Sequence, residues 1–352
     1  MKDIAEIDKN FAIETNIVRE GLTFFDPENA PFKIYGVFKE NGKFRRMPEA
    51  VAKSVSDGVY SLHTHTAGGR VRFITDSPYV AIKTKGRPSR MDHFALTGCG
   101  GYDMYMDEGT EEGIRYAGTF RMPYYMEDEF ENVIDFPKKK ERIITINMPL
   151  YGEVEKFWIG LQEGSSLKEA PEYKIAKPVV YYGSSITQGG CASKPGSSYQ
   201  SILERKFDCD YINLGFSGNA KAEDEMIEYI KGLDMSVFVY DYDHNAPTIE
   251  HLQATHNKMF MAIREAHPDL PILILPRPKY YLSPVEEERA KIVKDTYLAA
   301  KARGDEHVYH ITGKKLMELV KDNGTVDNCH PTDSGFFSMA LAIGEVFEKI
   351  LS

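Results

Sequence analysis

Residues 178–189 read PVVYYGSSITQG. The run PVVYY is apolar on both of its alternating faces, as in a strand covered on each side, and the Gly183-Ser184-Ser185 turn leads into the start of a helix. A buried strand that turns sharply into a helix is the repeating unit of a parallel sheet. Strand-sized runs recur downstream at DYIN (210–213), SVFVY (236–240), PILIL (271–275) and HVYHI (307–311), with amphipathic stretches between them. Ser283-Pro284-Val285-Glu286 supplies a capping box with proline at the first helical position. The last stretch, Asp333 to Leu351, places Phe336, Phe337, Ala340, Ile343, Phe347 and Ile350 on one helical face. Five strands with helical crossovers predict a three-layer α/β/α domain with a parallel sheet, flavodoxin-like, over residues 177–352.

Upstream the texture changes. Between about residues 31 and 165 short alternating runs (PFKIYGVF, GVYSLHTHT, GRVRFIT, YVAIKTK, IRYAGTF, RIITINM) are separated by turn residues such as ENGK at 40–43. Such spacing predicts an all-β sandwich of jelly-roll type over residues 1–165. LQEGSSLKEAPEYKIAK (161–177) is polar and carries Pro, Gly and Ser, and is the expected junction. There is no internal repeat and no low-complexity tract.

Two domains suit 352 residues, and 42% hydrophobic with 27% charged residues lets each bury a core. A formal charge of -10 argues against nucleic acid or an anionic membrane as partner, since neither attracts excess carboxylates. The opening MKDIAEIDKNFAIETNIVRE breaks its apolar residues with charge every few positions, unlike a signal peptide, so a cytoplasmic location is expected. No run approaches the roughly 18 apolar residues that cross a bilayer. Cys99, Cys191, Cys209 and Cys329 are widely spaced without a CxxC, which argues against structural zinc and predicts reduced thiols.

In open parallel sheets functional groups gather beyond the carboxyl ends of the strands. The turn after PVVYY exposes the Ser185 hydroxyl there. It is neither a G-x-S-x-G elbow, because the fifth position is Thr187, nor a P-loop, because no Gly-Lys-Ser/Thr follows. A nucleophilic serine needs a base, and the base needs an acceptor to hold its tautomer. Asp327-Asn328-Cys329-His330-Pro331 offers both: the carboxylate can turn back onto the imidazole Nδ1 and leave Nε2 for Ser185. An oxyanion formed at this serine needs donors. Gly218, in NLGFSGN (213–219), and Asn245, after the third strand, are the candidates, with the backbone N–H of Ser185.

These segments resemble the blocks of the SGNH (GDSL-like) hydrolases: GSSITQG the first, NLGFSGN the second, Asn245 the third and DNCHP the last, in the family's order. Gly101-Tyr102-Asp103-Met104-Tyr105 resembles the GxDLY motif of a β-sandwich domain that precedes such esterase domains in bacteria. Two positions depart from the pattern: Ser184 stands where the family has an aspartate before the nucleophile, and Asp243-His244 replace the glycine expected ahead of Asn245. The resemblance implies a serine esterase acting on small esters, often O-acetyl groups of plant polysaccharides, through Ser185, His330 and Asp327. It implies no metal and no organic cofactor.

Other residues carry weaker readings. Asp243 and Arg277 stand in loops flanking the site and are candidate substrate contacts, with pairing to a carboxylate equally open for Arg277. Trp158 is a candidate for stacking on a sugar, with plain packing as its alternative. His63 and His65, two apart on an expected strand, would share a face, but no third metal ligand is apparent. His251 and His256 are expected on the surface. The sandwich domain could bind sugar, wall the site, or join two copies of the chain. The combined expectation is a deacetylase of hemicellulose-derived oligosaccharides. The rivals are a lipid esterase or thioesterase on the same fold, and a carbohydrate-binding protein with a vestigial site.

Overall fold

The computed structural model describes residues 13–351. Residues 1–12, which open the expected sandwich domain and carry much of the supposed non-leader sequence, lie outside the described residues.

The N-terminal region is antiparallel. Its strands are β1 (Leu22–Phe25), β2 (Lys33–Tyr35), β3 (Phe38–Glu40), β4 (Lys43–Arg45), β5 (Arg70–Thr75), β6 (Tyr79–Lys85), β7 (Tyr102–Asp107), β8 (Arg115–Phe120), β9 (Glu129–Asp135), β10 (Arg142–Asn147), β11 (Lys156–Gln162) and β12 (Leu167–Lys168). One sheet runs β1-β11-β6-β9. The other runs β12-β5-β10-β7-β8, with β2 also on β5. The period-two pattern sets the register: Ile144 stands opposite Phe73 and Ile146 between Val71 and Met104, all buried, while Ile143 and Thr145 turn the other way.

Two helices interrupt this region, α1 (Glu49–Val55) and α2 (Asp57–Leu62), followed by a short α3 (Leu96–Cys99). The GVYSLHTHT stretch at 58–66 is therefore not the expected strand. The Ser56 side chain accepts from the Val59 amide at 3.2 Å and caps α2, and Val59 and Leu62, three apart, face a hydrophobic core. That core belongs to the C-terminal region: Ala52, Val55 and Val59 pack with Phe216, Met226 and Ile230.

The C-terminal region is built on β13 (Ile175–Gly183), β14 (Cys209–Gly215), β15 (Val237–Asp241), β16 (Ile272–Ile274) and β17 (Val308–His310), all parallel, in the order β14-β13-β15-β16-β17. This is the flavodoxin-like order, whose switch point lies between β13 and its neighbour β15. Helices cover both faces: α4 (Ser185–Gln188), α5 (Tyr199–Phe207), α6 (Asp224–Lys231), α7 (Ile249–Ala266), α8 (Pro284–Ala302), α9 (Gly313–Leu316) and α10 (Asp333–Ile350). Val180 and Tyr182 point to the face of α6, α7 and α8, and Val179 and Tyr181 to that of α5 and α10. The capping box at Ser283 forms as its sequence predicts. On α10, Phe336, Ala340, Ile343 and Phe347 are buried, but Phe337 lies off the stripe and is 47% exposed. No described helix is long and apolar enough to cross a membrane.

His256 departs from its surface expectation. It is fully buried on α7, stacked on Tyr240 and Tyr242, with Nδ1 2.8 Å from the Thr296 hydroxyl, and burial lowers it to about 3. All four cysteines are free thiols.

Candidate active site

The parallel register aligns the site. Gly183, ending β13, is level with Gly215 on one side and Asp241 on the other, so three loops leave the sheet edge together. A side chain at Gly215 would meet the Gln188 backbone 2.1 Å away, and one at Gly183 would meet the Asp241 carboxylate at 1.9 Å. These glycines let the loops close on one another.

Ser185 opens α4. The Ser184 side chain caps that turn by accepting from the Ile186 amide at 3.2 Å, so the serine that stands in place of an aspartate does cap work. The Ser185 hydroxyl lies 2.9 Å from His330 Nε2. His330 Nδ1 lies 2.7 Å from Asp327 Oδ2, which fixes the tautomer: Nδ1–H donates to the carboxylate and Nε2 accepts from the serine. The other oxygen of Asp327 accepts from the backbone amides of Cys329 (3.1 Å) and His330 (2.7 Å). Burial alone would raise this carboxyl, but the bonds from the His330 amide and ring hold it below its usual value. Pro331 and Thr332 then lead into α10. Thr332 is its N-cap by position, but its hydroxyl donates to Gly324 O rather than capping the helix. Asp333 accepts from the Ser193 amide at 2.7 Å and so ties the loop after α4 to this helix.

The loop after β14 is held against the same turn. Phe216 N donates to Gly183 O (2.8 Å), Ser217 N to Gln188 Oε1 (3.0 Å) and Ala220 N to Asn245 Oδ1 (3.3 Å). Gly218 has φ +71, open space where a side chain would stand, and no role but its backbone. Because Asn245 spends its carbonyl oxygen on Ala220, its NH2 group remains to donate. Among the described residues, neither the amides of Ser185 and Gly218 nor the Asn245 NH2 has an acceptor.

Asp243 and Arg277 come together, but with each other. Asp243, whose side chain has no solvent exposure, accepts from Arg277 Nε (3.0 Å) and Arg289 Nε (2.7 Å), and Arg277 also reaches Glu286. Burial would raise the Asp243 carboxyl, but the Arg277 bond and charge bring it to about 2. Both are thus spent internally rather than offered to a substrate. Trp158 is not brought to the site either. Phe157 and Ile159 point into the sandwich core, so Trp158 between them faces outward, beside Lys156. His63 lies just past α2 against Tyr60 O and Arg45, and His65 lies 3.2 Å from Gln188, so no shared strand face presents them to a metal.

Several residues at the site carry no motif. Asp241 accepts from the Thr187 hydroxyl and from the Ser184 amide at 3.4 Å. From the N-terminal region, Tyr151 OH donates to Ser185 O at 3.2 Å, Arg46 donates to the carbonyls of Asn213 and Gly215, and the His93 ring lies 5.4 Å from that of His330. The GYDMY motif acts between the regions: Asp103, fully buried, accepts from Asn147 Nδ2 and from Gly196 N, each at 2.8 Å, and Tyr105 lies under the Arg205 guanidinium at 4.0 Å. A polar residue ending a buried strand was the one available signal for Asp241. The N-terminal contributors had none.

Comparison with known proteins agrees with this architecture. The model of the GDSL-like lipase/acylhydrolase family matches residues 176–351, and that of the GxDLY N-terminal region of SGNH-hydrolase-type esterases matches residues 22–167. No relative of curated function matches the sequence. A GDSL-like lipase candidate from Bacteroides ovatus shares the fold with TM-score 0.83 and 24% identity, over 94% of this chain and 98% of that one. A salicylyl-acyltransferase from a tetracycline biosynthetic pathway follows with TM-score 0.76 and 17% identity, over 94% and 98%. An acetyl xylan esterase from the rumen bacterium Butyrivibrio proteoclasticus has TM-score 0.58 and 10% identity, over 93% and 98%. With the first match spanning half its length, the chain belongs to the GDSL-like lipase/acylhydrolase family, the SGNH type of esterase.

Proposed function

We propose that the protein is a carbohydrate O-acetylesterase working through Ser185, His330 and Asp327. The observation that carries the chemistry is the unbroken chain from Ser185 Oγ to His330 Nε2 (2.9 Å) and from His330 Nδ1 to Asp327 Oδ2 (2.7 Å). His330 takes the hydroxyl proton as Oγ attacks the acetyl carbonyl, and returns it to the sugar oxygen as the C–O bond breaks. Water, activated by the same imidazole, then releases acetate and restores Ser185. Asp327 holds the imidazole and stabilises its cationic form. The Ser185 and Gly218 amides and the Asn245 NH2 donate to the oxyanion.

The sugar-ester reading is supported by the fold likeness to an acetyl xylan esterase and by the partial exposure of His330 and Asp327 beside a nearly buried Ser185. The His330 side chain is 21% exposed and that of Asp327 36%, which suits an oligomeric, hydrophilic alcohol that extends beyond the cleft. A family two carbohydrate esterase from Clostridium thermocellum in complex with cellohexaose shares the fold as well. The test compares acetyl and octanoyl esters of para-nitrophenol, followed by mass-resolved deacetylation of acetylated manno- and xylo-oligosaccharides. A higher kcat/KM for acetyl, with loss of acetyl groups from one oligosaccharide class, is expected. A preference for octanoyl favours a lipid esterase.

A second reading has an observation of its own. The likeness to an acyltransferase allows the acyl group to pass to an alcohol instead of water. Transfer products outnumbering free acetate at millimolar alcohol would favour it.

A further inference from the structure

We propose that His93, Cys191 and His330 form a binding site for a thiophilic divalent cation, Zn2+ foremost, whose occupation switches the hydrolase off. Each side chain offers one ligand atom, and the three atoms lie within 4.8 Å of one another. Zinc binds imidazole nitrogen at about 2.0–2.1 Å and thiolate sulfur at about 2.3 Å in a tetrahedron, so its ligand atoms stand roughly 3.3–3.8 Å apart. Binding therefore requires the most distant of these atoms to draw together by about 1–1.5 Å.

The chemistry of each donor fits. His330 Nδ1 is held by Asp327, which leaves Nε2 for a metal. A carboxylate–imidazole pair that orients a general base is also the usual outer support of a zinc-bound histidine. The chain runs close under that ring just before the thiol: a Cβ placed on Gly190 would lie 3.3 Å from His330 Cδ2. Cys191 itself is held at φ +75, a left-handed conformation costly for a side-chain-bearing residue and unusual enough to suggest a function. His93 comes from the N-terminal region and its side chain is 34% exposed, so an ion can enter from solvent.

Binding is a proton exchange. The Cys191 thiol, raised by burial, gives its proton to solvent as the sulfur–metal bond forms. His93 and His330 bind as neutral imidazoles, and a water completes the tetrahedron. The lone pair that receives the Ser185 proton is then committed to the metal. The switch, though not the binding, rests on the reading of His330 as the base.

Binding and inhibition are tested separately. Co2+ titration followed by absorbance is expected to show one site per chain with a thiolate-to-metal charge-transfer band, present in Ser185→Ala and lost in Cys191→Ser. Zn2+ is expected to inhibit ester hydrolysis reversibly with EDTA, and its half-inhibiting concentration to rise at least 10-fold in Cys191→Ser and in His93→Ala, each relative to its own metal-free rate. Equal affinity in wild type and both variants overturns the site. A charge-transfer band with no fall in rate overturns the switch. If the chain hydrolyses no ester, the band still reports the site, so failure of the esterase reading is separable from failure of this one.

Discussion

Asp241, the last residue of β15, accepts a hydrogen bond from the Thr187 hydroxyl inside the nucleophile turn. It also accepts from the Ser184 amide at 3.4 Å, so a carboxylate from the neighbouring strand braces the turn from which the family's own aspartate is missing. Burial pushes this carboxyl up to about 7 against the bonds from Thr187 and Ser184. An ordinary unfolded carboxyl titrates near 3.8, so the folded chain binds the extra proton between the two values and stability falls as pH rises from about 4 to 7. Asp241→Asn keeps an acceptor and removes the titration. Its melting temperature is expected to gain on wild type across that window and to run parallel above it. A constant difference from pH 4 to 8 contradicts this assignment.

Asn245 has one of its two ends committed, Oδ1 to the Ala220 amide. Asn245→Ala is expected to lower kcat about 10²–10³-fold with little change in KM, as loss of one oxyanion donor does. A rise in KM at constant kcat would make the residue a ground-state contact.

Asp103 joins the two regions, and its partners differ in what they can exchange. Gly196 offers a fixed backbone N–H, whereas the Asn147 amide can flip, its Oδ1 being otherwise without a partner. Asp103→Asn is therefore expected to stay within about 1 kcal/mol of wild type, and Asp103→Ala to lose about 2–3 kcal/mol by leaving buried donors unpaired. Urea unfolding measures both. Equal losses would mean that charge, and not hydrogen bonding, holds the junction.

Removing the Asp243 carboxylate leaves two guanidiniums facing each other in the interior, that of Arg289 in a residue only 7% exposed. Asp243→Ala is expected to cost about 3–5 kcal/mol. A fall in oligosaccharide binding without that loss would restore the residue to the substrate.

Much of this molecule was legible because its signals are local. Three of the five parallel strands lie in short apolar runs (PVVYY, SVFVY and PILIL), and Ser185 and the Asp327–His330 pair each sit in a stretch of a few residues where turn and chemistry coincide. What was not legible depends on distance along the chain. GVYSLHTHT alternates like a strand, but the Ser56 cap and a core lent by Phe216 and Met226, over 150 residues away, make it a helix. Arg277 had two readings until Asp243 was placed beside it, Trp158 depended on which face of β11 is buried, and His256 on the two tyrosines that cover it. The contacts of Tyr151, Arg46 and His93 with the site follow from how the two regions dock, which no run of sequence encodes.

The central claim is that one imidazole makes one hydroxyl nucleophilic. A fluorophosphonate reports this directly, because the activated serine displaces fluoride and keeps the phosphonyl group as a covalent mass increment. Peptide mapping is expected to find a single adduct, on Ser185, absent in Ser185→Ala and formed at least 100-fold more slowly in His330→Ala. An adduct on any other residue, or labelling of Ser185 at an undiminished rate without His330, would contradict the account.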